Sequence, residues 1–319
     1  MNFERQMKNQ GLHKLKIWLK AIRIPFFTAT IIPVTLGSII AWHDTDNFIW
    51  GRFWLAMLGA LFIHAGTNLA NDYFDHISGC DALNPNPTPF SGGSRVIQKG
   101  LMSPKEILCA ALFLFIVGSG IGFYLNYLCG KNVILVLGII GVFLGFFYSA
   151  RPFRIGYGSF GELAVGVGFG PLMVLGSYYV QAQSLPFKVF LISIPVGILI
   201  ALVLFINEFP DCLSDKAAGK RTQVVALGKK KAVILYHSLL VSVYLFITFL
   251  VVFKFLPIMC LITLLSAPLA IKAIIVSRKN FDKIYELLPA NSSTIGLHSL
   301  IGILLCVGFA LDKIFLKGG

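Results

Sequence analysis

Acidic residues are scarce in this sequence, and nearly half of them fall in two short windows. The chain contains 14 Asp and Glu residues among its 319. The windows hold Asp72, Asp75 and Asp81, and then Glu208, Asp211 and Asp215. Clustered carboxylates repel one another unless cations lie between them, and oxygen ligands of this kind suit Mg²⁺. The windows therefore predict a magnesium site, with simple decoration of helix ends as the alternative.

The spacing within the first window favours the metal site. Asn68, Asp72 and Asp75 stand at i, i+4 and i+7, so on a continuous helix their side chains share one face. Mg²⁺ usually binds through one or two carboxylates plus substrate phosphates. We therefore expect one ion at each window, with the two ions holding a diphosphate from opposite sides.

The second window repeats the pattern with a proline inside it. Asn207, Asp211 and Asp215 stand at i, i+4 and i+8, and Pro210 precedes the first aspartate. Because a helix normally ends near the residue before a proline, we expect a break here, with both aspartates on a new short helix. The predicted metal ligands are Asp72, Asp75, Asp211, Asp215, Asn68 and Asn207, and the four aspartates are also the predicted catalytic residues.

Basic and aromatic side chains lie close to these windows in the sequence. The neighbouring loops carry Arg95, Lys99, Lys216, Lys220 and Arg221, which are candidates to neutralise a diphosphate. The segment Phe147 to Tyr157 adds aromatic rings, which can stabilise an allylic cation, and it includes Arg151 as a further candidate diphosphate contact. The alternatives are the general enrichment of cytoplasmic loops in Lys and Arg and an interfacial belt of aromatic residues.

Two further carboxylates are candidates to accept a proton from a second substrate. They are Glu162 and Glu208, and for Glu162 we favour simple solvation at a helix end. The six cysteines show no paired spacing, so the sequence supports neither a disulfide framework nor a zinc site.

The elements that position these residues are predicted to be membrane-spanning helices. Hydrophobic residues make up 56% of the chain and charged residues only 13%. Nine stretches without charged side chains are long enough to cross a bilayer as helices. They are Ile24 to Trp42, Phe53 to Asn71, Ile107 to Gly130, Asn132 to Ala150, Leu163 to Phe187, Val189 to Asn207, Ala232 to Phe253, Phe255 to Ile271 and Leu287 to Leu311.

The net charge of +13 reflects membrane orientation rather than binding to nucleic acid. With a cytoplasmic N-terminus, 21 of the 27 Lys and Arg residues lie on the cytoplasmic side. The exceptions are Arg52, Lys131, Lys188, Lys254, Lys313 and Lys317. This bias predicts a cytoplasmic N-terminus, a basic cytoplasmic segment at residues 1–20, and an outer C-terminus. Both acidic windows then face the cytoplasm.

Two segments together resemble the UbiA superfamily of intramembrane prenyltransferases: NLANDYFDHISGCD at 68–81 and NEFPDCLSDKAAGKRTQVVALG at 207–228. The similarity is closer to the 1,4-dihydroxy-2-naphthoate polyprenyltransferases of menaquinone synthesis. It extends through SGGSRVIQKG at 91–100 and GYGSFGELAVGVGFGPLMVLGSYYVQ at 156–181 to most of the chain after residue 23. Many naphthoate enzymes carry a second Asn and an Arg-Asp pair where this chain has Glu208 and Phe209-Pro210-Asp211. This departure leaves the acceptor open.

The resemblance implies a fold and a set of site residues. The fold is all-α, with about nine transmembrane helices around a central cavity capped on the cytoplasmic side, in a single domain over residues 1–319. Mg²⁺ would be held by the two Asp motifs, with Tyr148 and Ser149 near the reacting allyl carbon. Substrate contacts would come from Asn68, Asn207, Arg23, Lys99, Arg151 and Lys216.

The expected activity is Mg²⁺-dependent transfer of a polyprenyl group from its diphosphate to an aromatic quinone precursor. The preferred acceptor is 1,4-dihydroxy-2-naphthoate, giving demethylmenaquinone, in the inner (plasma) membrane with the active site facing the cytoplasm. The alternative acceptors are 4-hydroxybenzoate, homogentisate or a lipid alcohol. A cation-coupled transporter is the alternative from another class, although its acidic groups would lie near the bilayer midplane. A CDP-alcohol phosphotransferase is disfavoured because its D-G-x-x-A-R motif is missing.

Overall fold

Nine apolar helices dominate the computed structural model, which describes residues 13–317. Residues 13–21 are also helical, and no strand occurs in the described range. The first twelve residues of the predicted basic N-terminal segment lie outside that range. The nine helices are α1 Thr28–Thr45, α2 Trp50–Ile77, α3 Pro104–Cys129, α4 Val133–Phe147, α5 Gly161–Ala182, α6 Phe187–Ala217, α7 Lys229–Val252, α8 Ile258–Asn280 and α9 Ile284–Asp312.

Each predicted span corresponds to one of these helices, so the predicted all-α membrane fold is confirmed. Eight helical segments are long and apolar enough to cross a membrane, and α4 is a shorter apolar helix of 15 residues. Helices α2 and α6 extend past the charge-free stretches to Ile77 and Ala217. These extensions carry the acidic windows, so both motifs project from the same end of the helix bundle.

Helices α5 and α6 cross at very close range. A Cβ added to Gly170 would lie 2.5 Å from the Cα of Gly197, and one added to Gly166 would lie 3.0 Å from the Gly197 carbonyl oxygen. Small residues permit this approach of two backbones inside a membrane bundle. Helix α5 adopts a π-helical turn at Gly168–Leu172, which contains Pro171. The crossing holds α5 against α6, the most buried of the eight long spans.

The predicted break at Pro210 is wrong, because α6 continues through it as far as Ala217. A proline has no N–H, so the carbonyl of Ile206, four residues earlier, loses its donor within the helix. Asn291, fully buried on α9, supplies the missing donor: its Nδ2 lies 3.1 Å from the Ile206 carbonyl oxygen and 2.8 Å from Asn207 Oδ1. A side chain far away in the sequence thus allows the helix to carry both aspartates.

Replacing Asn291 by Leu is expected to destabilise the protein by about 1–3 kcal/mol, because the Ile206 carbonyl and the Asn207 amide oxygen lose their buried donor. Thermal unfolding in detergent measures this loss. Ser292→Ala is the matched control, since Ser292 is exposed and donates to Pro289 of its own helix. Equal thermal unfolding midpoints for Asn291→Leu and Ser292→Ala would contradict the proposed role of Asn291.

Polar contacts also tie the helices together at the opposite end of the bundle. Asp44 of α1 accepts hydrogen bonds from Lys188 Nζ at 2.7 Å and from the Tyr178 hydroxyl at 3.0 Å. His43 Nε2 lies 2.9 Å from Asp312 of α9. These contacts connect α1, α5, α6 and α9 far from the acidic windows.

Candidate active site

A cavity of about 1570 Å³ runs through the helix bundle, and the Asp, Glu, Lys and Arg residues that line it gather at one end. Its polar end includes Asp75, Asp81, Asp211 and Asp215, whereas most of its wall is apolar. Along α2 the lining extends from Asp75 back to Ala56. The 19 residue steps from Ala56 to Asp75 span roughly 28 Å at the α-helical rise, close to the thickness of a bilayer's hydrocarbon core. The shape suits a molecule with a charged head and a long apolar tail.

The first motif lies on α2, but its two aspartates have different surroundings. Asp75 accepts hydrogen bonds from the Tyr157 hydroxyl at 2.7 Å, from Asn71 Nδ2 at 3.2 Å and from Lys220 Nζ at 3.2 Å. Asp72 is buried beside the cavity lining, where it pairs with Arg23. Asp75 is therefore the carboxylate of this motif that faces the cavity.

A backbone amide and an amide side chain hold the second motif. Asp211 accepts a hydrogen bond from Asn84 Nδ2 at 2.8 Å and one from the Gly92 N–H at 3.0 Å. Asp215, one turn further along α6, is buried with its Oδ1 3.8 Å from Lys220 Nζ. Both aspartates line the cavity.

The loop between α2 and α3 joins the two motifs. Asn84 and Gly92 contact Asp211, while Ser94 binds Asp72 through its backbone N–H at 3.2 Å and through its hydroxyl. Gly92 and Gly93 both have positive φ, near 79° and 74°. A Cβ on Gly93 would also lie 3.0 Å from an Asp81 oxygen. Glycine is required at this turn, which brings the loop across the mouth of the cavity.

Lys220 is the cation shared by the two motifs. Its Nζ lies 3.2 Å from Asp75 and 3.8 Å from Asp215, and it also lies over the Tyr157 ring. Burial opposes the charged form of Lys220, yet Asp75 and Asp215 hold its pKa well above the ordinary value. Lys220 thus remains charged at neutral pH, beside the space that a diphosphate would occupy.

Asp81 is a third acidic group at the polar end. It is buried, accepts a hydrogen bond from Gln98 Nε2 at 2.9 Å, and has its pKa raised to about 7 by burial and by the charges of Asp75 and Asp72. So many carboxyl groups in a small volume make the polar end strongly acidic. This is the electrostatic setting in which a bound divalent cation is most stabilising.

The other residues predicted from sequence fall into two groups. Asn68, Asn207, Arg23 and Lys99 line the cavity, as do Tyr148 and Ser149. Asn68 donates to the Ile22 carbonyl oxygen at 2.9 Å, so it also anchors the chain before α1. Arg151 and Lys216 are exposed and lie away from the cavity. The structure therefore places these two predicted substrate contacts outside the site.

The aromatic segment between α4 and α5 also has some residues that line the cavity and others that lie outside it. Phe147, Tyr148 and Tyr157 line the cavity, whereas Phe153 is exposed. The Tyr148 ring packs on Gly156, where an added Cβ would lie 2.5 Å from a ring carbon. The rings of Tyr148 and Tyr157 are thus held at the wall beside Asp75, and Phe153 fits the alternative reading of an interfacial aromatic residue.

Sequence reasoning missed two polar residues that complete the site. Asn71 Nδ2 donates to Asp75 and, at 2.7 Å, to Ser149 Oγ. Asn71 stands four residues before Asp75, so helical spacing could have identified it as readily as Asn68. Asn84 lies outside any helical pattern, and no local signal links it to Asp211.

The expectation of simple solvation for Glu162 is wrong. Glu162 is only 8% exposed, and its Oε1 accepts the Gln223 backbone N–H at 3.1 Å. Gln223 begins the one-turn helix Gln223–Leu227, which packs against α6 and α7.

The donor set of the polar end fits Mg²⁺. Asp75, Asp211 and Asp215 offer carboxylate oxygens, the hard ligands that this ion prefers. Within residues 13–317, no three His, Cys, Asp or Glu side chains are grouped so that they could hold a metal ion. The arrangement therefore fits ions that complete their coordination with phosphate oxygens and water, as Mg²⁺ commonly does.

Comparisons with known proteins agree with this geometry. The model of the UbiA prenyltransferase family matches residues 30–294. The chain is 31% identical to the 2-carboxy-1,4-naphthoquinone phytyltransferase of Synechocystis sp., over 92% of this chain and 93% of that protein. It is 29% identical to the 1,4-dihydroxy-2-naphthoate octaprenyltransferase of Bacillus subtilis, over 89% of each chain.

Solved structures share the fold at lower sequence identity. A UbiA homologue from Archaeoglobus fulgidus bound to DMAPP and Mg²⁺ is 15% identical, with a TM-score of 0.66 over 94% of this chain and 99% of that one. A digeranylgeranylglyceryl phosphate synthase is 20% identical, with a TM-score of 0.63 over 95% and 100% of the two chains. Nothing in these matches supports the transporter alternative. From its match over most of its length, the chain belongs to the UbiA prenyltransferase family.

Proposed function

We propose that this protein transfers a polyprenyl group from its diphosphate to 1,4-dihydroxy-2-naphthoate, giving the quinol form of demethylmenaquinone, CO₂ and diphosphate. The observation that carries the proposal is one cavity that combines the acidic motifs of α2 and α6 at one end with an apolar wall roughly as deep as the hydrocarbon core. The names of the relatives in Synechocystis and Bacillus subtilis support a naphthoate-type acceptor.

In the proposed mechanism, the prenyl tail lies along the apolar wall and the diphosphate lies between the two motifs. Mg²⁺, held by Asp75 on one side and by Asp211 and Asp215 on the other, would supply positive charge to the phosphate oxygens. Lys220 and Arg23 add fixed positive charge, because both line the cavity at its polar end. These groups stabilise the charge that develops on the leaving diphosphate.

The allylic C–O bond breaks with its electron pair leaving on the diphosphate. Tyr148 and Tyr157 present aromatic rings at the same end of the cavity, where their faces can stabilise the allylic cation. The electron-rich ring carbon that bears the carboxylate then forms the new C–C bond, and the carboxylate leaves that carbon as CO₂, returning its bonding electron pair to the ring. The apolar wall excludes water, which would otherwise capture the cation.

We also propose an orientation in the plasma membrane, with the N-terminus and the polar end of the cavity facing the cytoplasm. The support is the distribution of Lys and Arg, since in this topology 21 of the 27 lie on the side of the membrane that carries the acidic motifs. In this proposal the whole chain, residues 1–319, acts as one transmembrane domain that needs the bilayer and no nucleic acid partner.

A panel of acceptors tests the proposal directly. Purified protein with geranylgeranyl diphosphate and Mg²⁺ receives 1,4-dihydroxy-2-naphthoate, 4-hydroxybenzoate or homogentisate separately, and mass spectrometry identifies each product. We expect a prenylated, decarboxylated naphthalene product in the first reaction only, and its loss when EDTA removes Mg²⁺. A product with 4-hydroxybenzoate or homogentisate alone would contradict the naphthoate assignment.

A further inference from the structure

His64 places an imidazole ring deep in the cavity, on the same side of α2 as the first acidic motif. It stands at i, with Asn68, Asn71 and Asp75 at i+4, i+7 and i+11, and all four residues line the cavity. The 11 residue steps from His64 to Asp75 correspond to roughly 16 Å at the α-helical rise. His64 is therefore a polar group at a depth where the cavity wall is mostly apolar.

Three contacts fix the direction of the imidazole ring. Its Nδ1 lies 2.8 Å from the hydroxyl oxygen of Thr30, a fully buried residue of α1. The Phe27 ring lies 5.3 Å away, centroid to centroid, and the Phe169 ring packs edge-on at 4.8 Å. Phe169 belongs to the π-helical turn of α5 and also lines the cavity. Because π-helical turns are frequent at functional sites, this packing is a second sign of a built site.

The second ring nitrogen of His64, Nε2, has no hydrogen-bond partner among residues 13–317. This nitrogen can also be reached. The unpaired side-chain atoms without accessible surface include Nδ1 of His298 but not Nε2 of His64. Since His64 lines the cavity and is only 5% exposed, its accessible nitrogen belongs to the cavity wall. A molecule in the cavity can therefore form a hydrogen bond with Nε2.

The chemistry of the imidazole restricts what would bind to it. A prenyl tail has neither a donor nor an acceptor, and the diphosphate belongs at the acidic motifs. With Nδ1 on the Thr30 hydroxyl, Nε2 is a donor or an acceptor depending on which nitrogen carries the proton. A hydroxyl group can donate and accept, so it pairs with either tautomer. Among the groups of the proposed substrates, a ring hydroxyl of the acceptor is the matching partner.

The distance from His64 to the reaction centre leaves room for an aromatic ring. Asn71 of α2 donates to the Ser149 hydroxyl at 2.7 Å, so Tyr148, the neighbour of Ser149, lies at the level of Asn71. The seven residue steps from His64 to Asn71 span roughly 10 Å. The allylic cation forms beside Tyr148, and a ring that attacks it from the apolar side lies between Tyr148 and His64.

The proposed reaction also selects one of the two ring hydroxyl groups. The ring carbon that bears the carboxylate must face the allyl carbon, towards the polar end. The hydroxyl at ring position 1 adjoins that carboxylate, whereas the hydroxyl at position 4 points away from it. The hydroxyl at position 4 is therefore the one directed towards His64.

We propose that His64 binds the hydroxyl at position 4 of the acceptor ring through Nε2, and thereby selects acceptors that carry a hydroxyl on the side away from the carboxylate. This inference rests on the proposed function. Thr30 holds the imidazole in the required direction, and Phe169 packs against the imidazole from α5. The role of His64 is to bind and orient the acceptor so that its reacting carbon faces the allylic cation.

Binding of paired probes tests the inference without turnover. The probes are 4-hydroxy-2-naphthoate and 2-naphthoate, which differ only in that hydroxyl, titrated calorimetrically into the detergent-solubilised full-length protein without prenyl diphosphate. We expect wild type to bind the hydroxylated probe at least about tenfold more tightly, because 2-naphthoate leaves the imidazole unpaired. His64→Leu should reduce the preference to about twofold or less, and His64→Gln, which keeps a donor and an acceptor, should retain about threefold or more.

Two controls separate the lost hydrogen bond from general damage. His298→Leu changes a histidine of α9 that is 2% exposed and does not line the cavity, so the preference should stay at the wild-type value. Binding of geranylgeranyl diphosphate in Mg²⁺ should stay within about twofold of wild type in every variant, which reports an intact fold. If His64→Leu fails this control, Thr30→Val decides, because it keeps the side-chain shape and removes only the hydroxyl that orients the imidazole. It should lower the preference at least about twofold.

Four results would overturn the inference. They are no wild-type preference between the probes, an unchanged preference in folded His64→Leu, a preference in His64→Gln as low as in His64→Leu, and an equal or larger preference for 1-hydroxy-2-naphthoate. A preference that His64→Leu abolishes, together with no product from any acceptor in the panel, would support the hydroxyl site and refute the proposed reaction. A naphthoate product without any hydroxyl preference would refute the hydroxyl site alone.

Discussion

Replacing Asp211 by Asn should lower kcat for prenyl transfer by roughly 10²–10³-fold, the size of effect seen when a group that stabilises transition-state charge is removed. Asp211 faces the cavity from α6 and is held by Asn84 and the Gly92 N–H, at 2.8 and 3.0 Å. The Asn side chain keeps the shape but removes the negative charge that a magnesium ion requires. Steady-state assays with saturating Mg²⁺ and both substrates measure the change.

The matched control for Asp211→Asn is Asp282→Asn. Asp282 is an exposed aspartate between α8 and α9, and it does not line the cavity. Its variant should retain the wild-type kcat. If Asp211→Asn remained within threefold of wild type while folded, the assignment of the second motif to the diphosphate site would be wrong.

Lys220→Ala should lower kcat/KM for the prenyl diphosphate by roughly 10²-fold, because a buried cation that contacts both motifs is lost. Lys220 Nζ lies 3.2 Å from Asp75 and 3.8 Å from Asp215. Without Lys220, no positive charge offsets the repulsion between the carboxylates of Asp75 and Asp215. The leaving diphosphate also loses a fixed positive charge. Initial rates at varied prenyl diphosphate concentration separate the change in KM from the change in kcat.

Lys216→Ala provides the comparison for Lys220→Ala. Lys216 stands four residues earlier, carries the same charge, and is exposed outside the cavity. Sequence reasoning selected Lys216 as a substrate contact, whereas the geometry favours Lys220. Equal losses of kcat/KM in Lys216→Ala and Lys220→Ala would mean that the overall positive charge of the loop, and not the position of Lys220, supports the reaction.

The sequence alone was sufficient to predict the membrane fold and the face of α2 that carries the first motif. Charge-free stretches define spans because the bilayer excludes unpaired polar groups, and this rule needs no tertiary information. The spacing of Asn68, Asp72 and Asp75 predicted one helical face, and the helix Trp50–Ile77 is continuous as expected, but only Asn68 and Asp75 line the cavity while Asp72 lies beside it.

Long-range contacts account for what the sequence did not predict. The local rule for proline predicted a helix break at Pro210, and only Asn291, 81 positions later in the chain, satisfies the Ile206 carbonyl and permits a continuous helix. Burial of Glu162 likewise depends on Gln223, 61 positions away. Neither partner stands in a pattern that local spacing could reveal.

The sequence also could not show which of two neighbouring lysines faces the site, for a different reason. Lys216 and Lys220 have the same charge and lie in the same short segment after Asp215. The last turn of α6 leaves Lys216 in solvent, and the chain then folds back to bury Lys220 against Asp75. The direction that the chain takes after the end of α6 depends on its packing against α2, and the composition of this segment does not encode that packing.

The most direct test of the central claim is the affinity of the purified protein for geranylgeranyl diphosphate with and without Mg²⁺, measured by calorimetry in the absence of acceptor. If the aspartates of α2 and α6 hold the diphosphate through magnesium, EDTA should weaken binding by at least about tenfold, and the double variant Asp75→Asn with Asp211→Asn should bind equally weakly with or without the ion. Wild-type binding of equal strength in Mg²⁺ and in EDTA would contradict the claim.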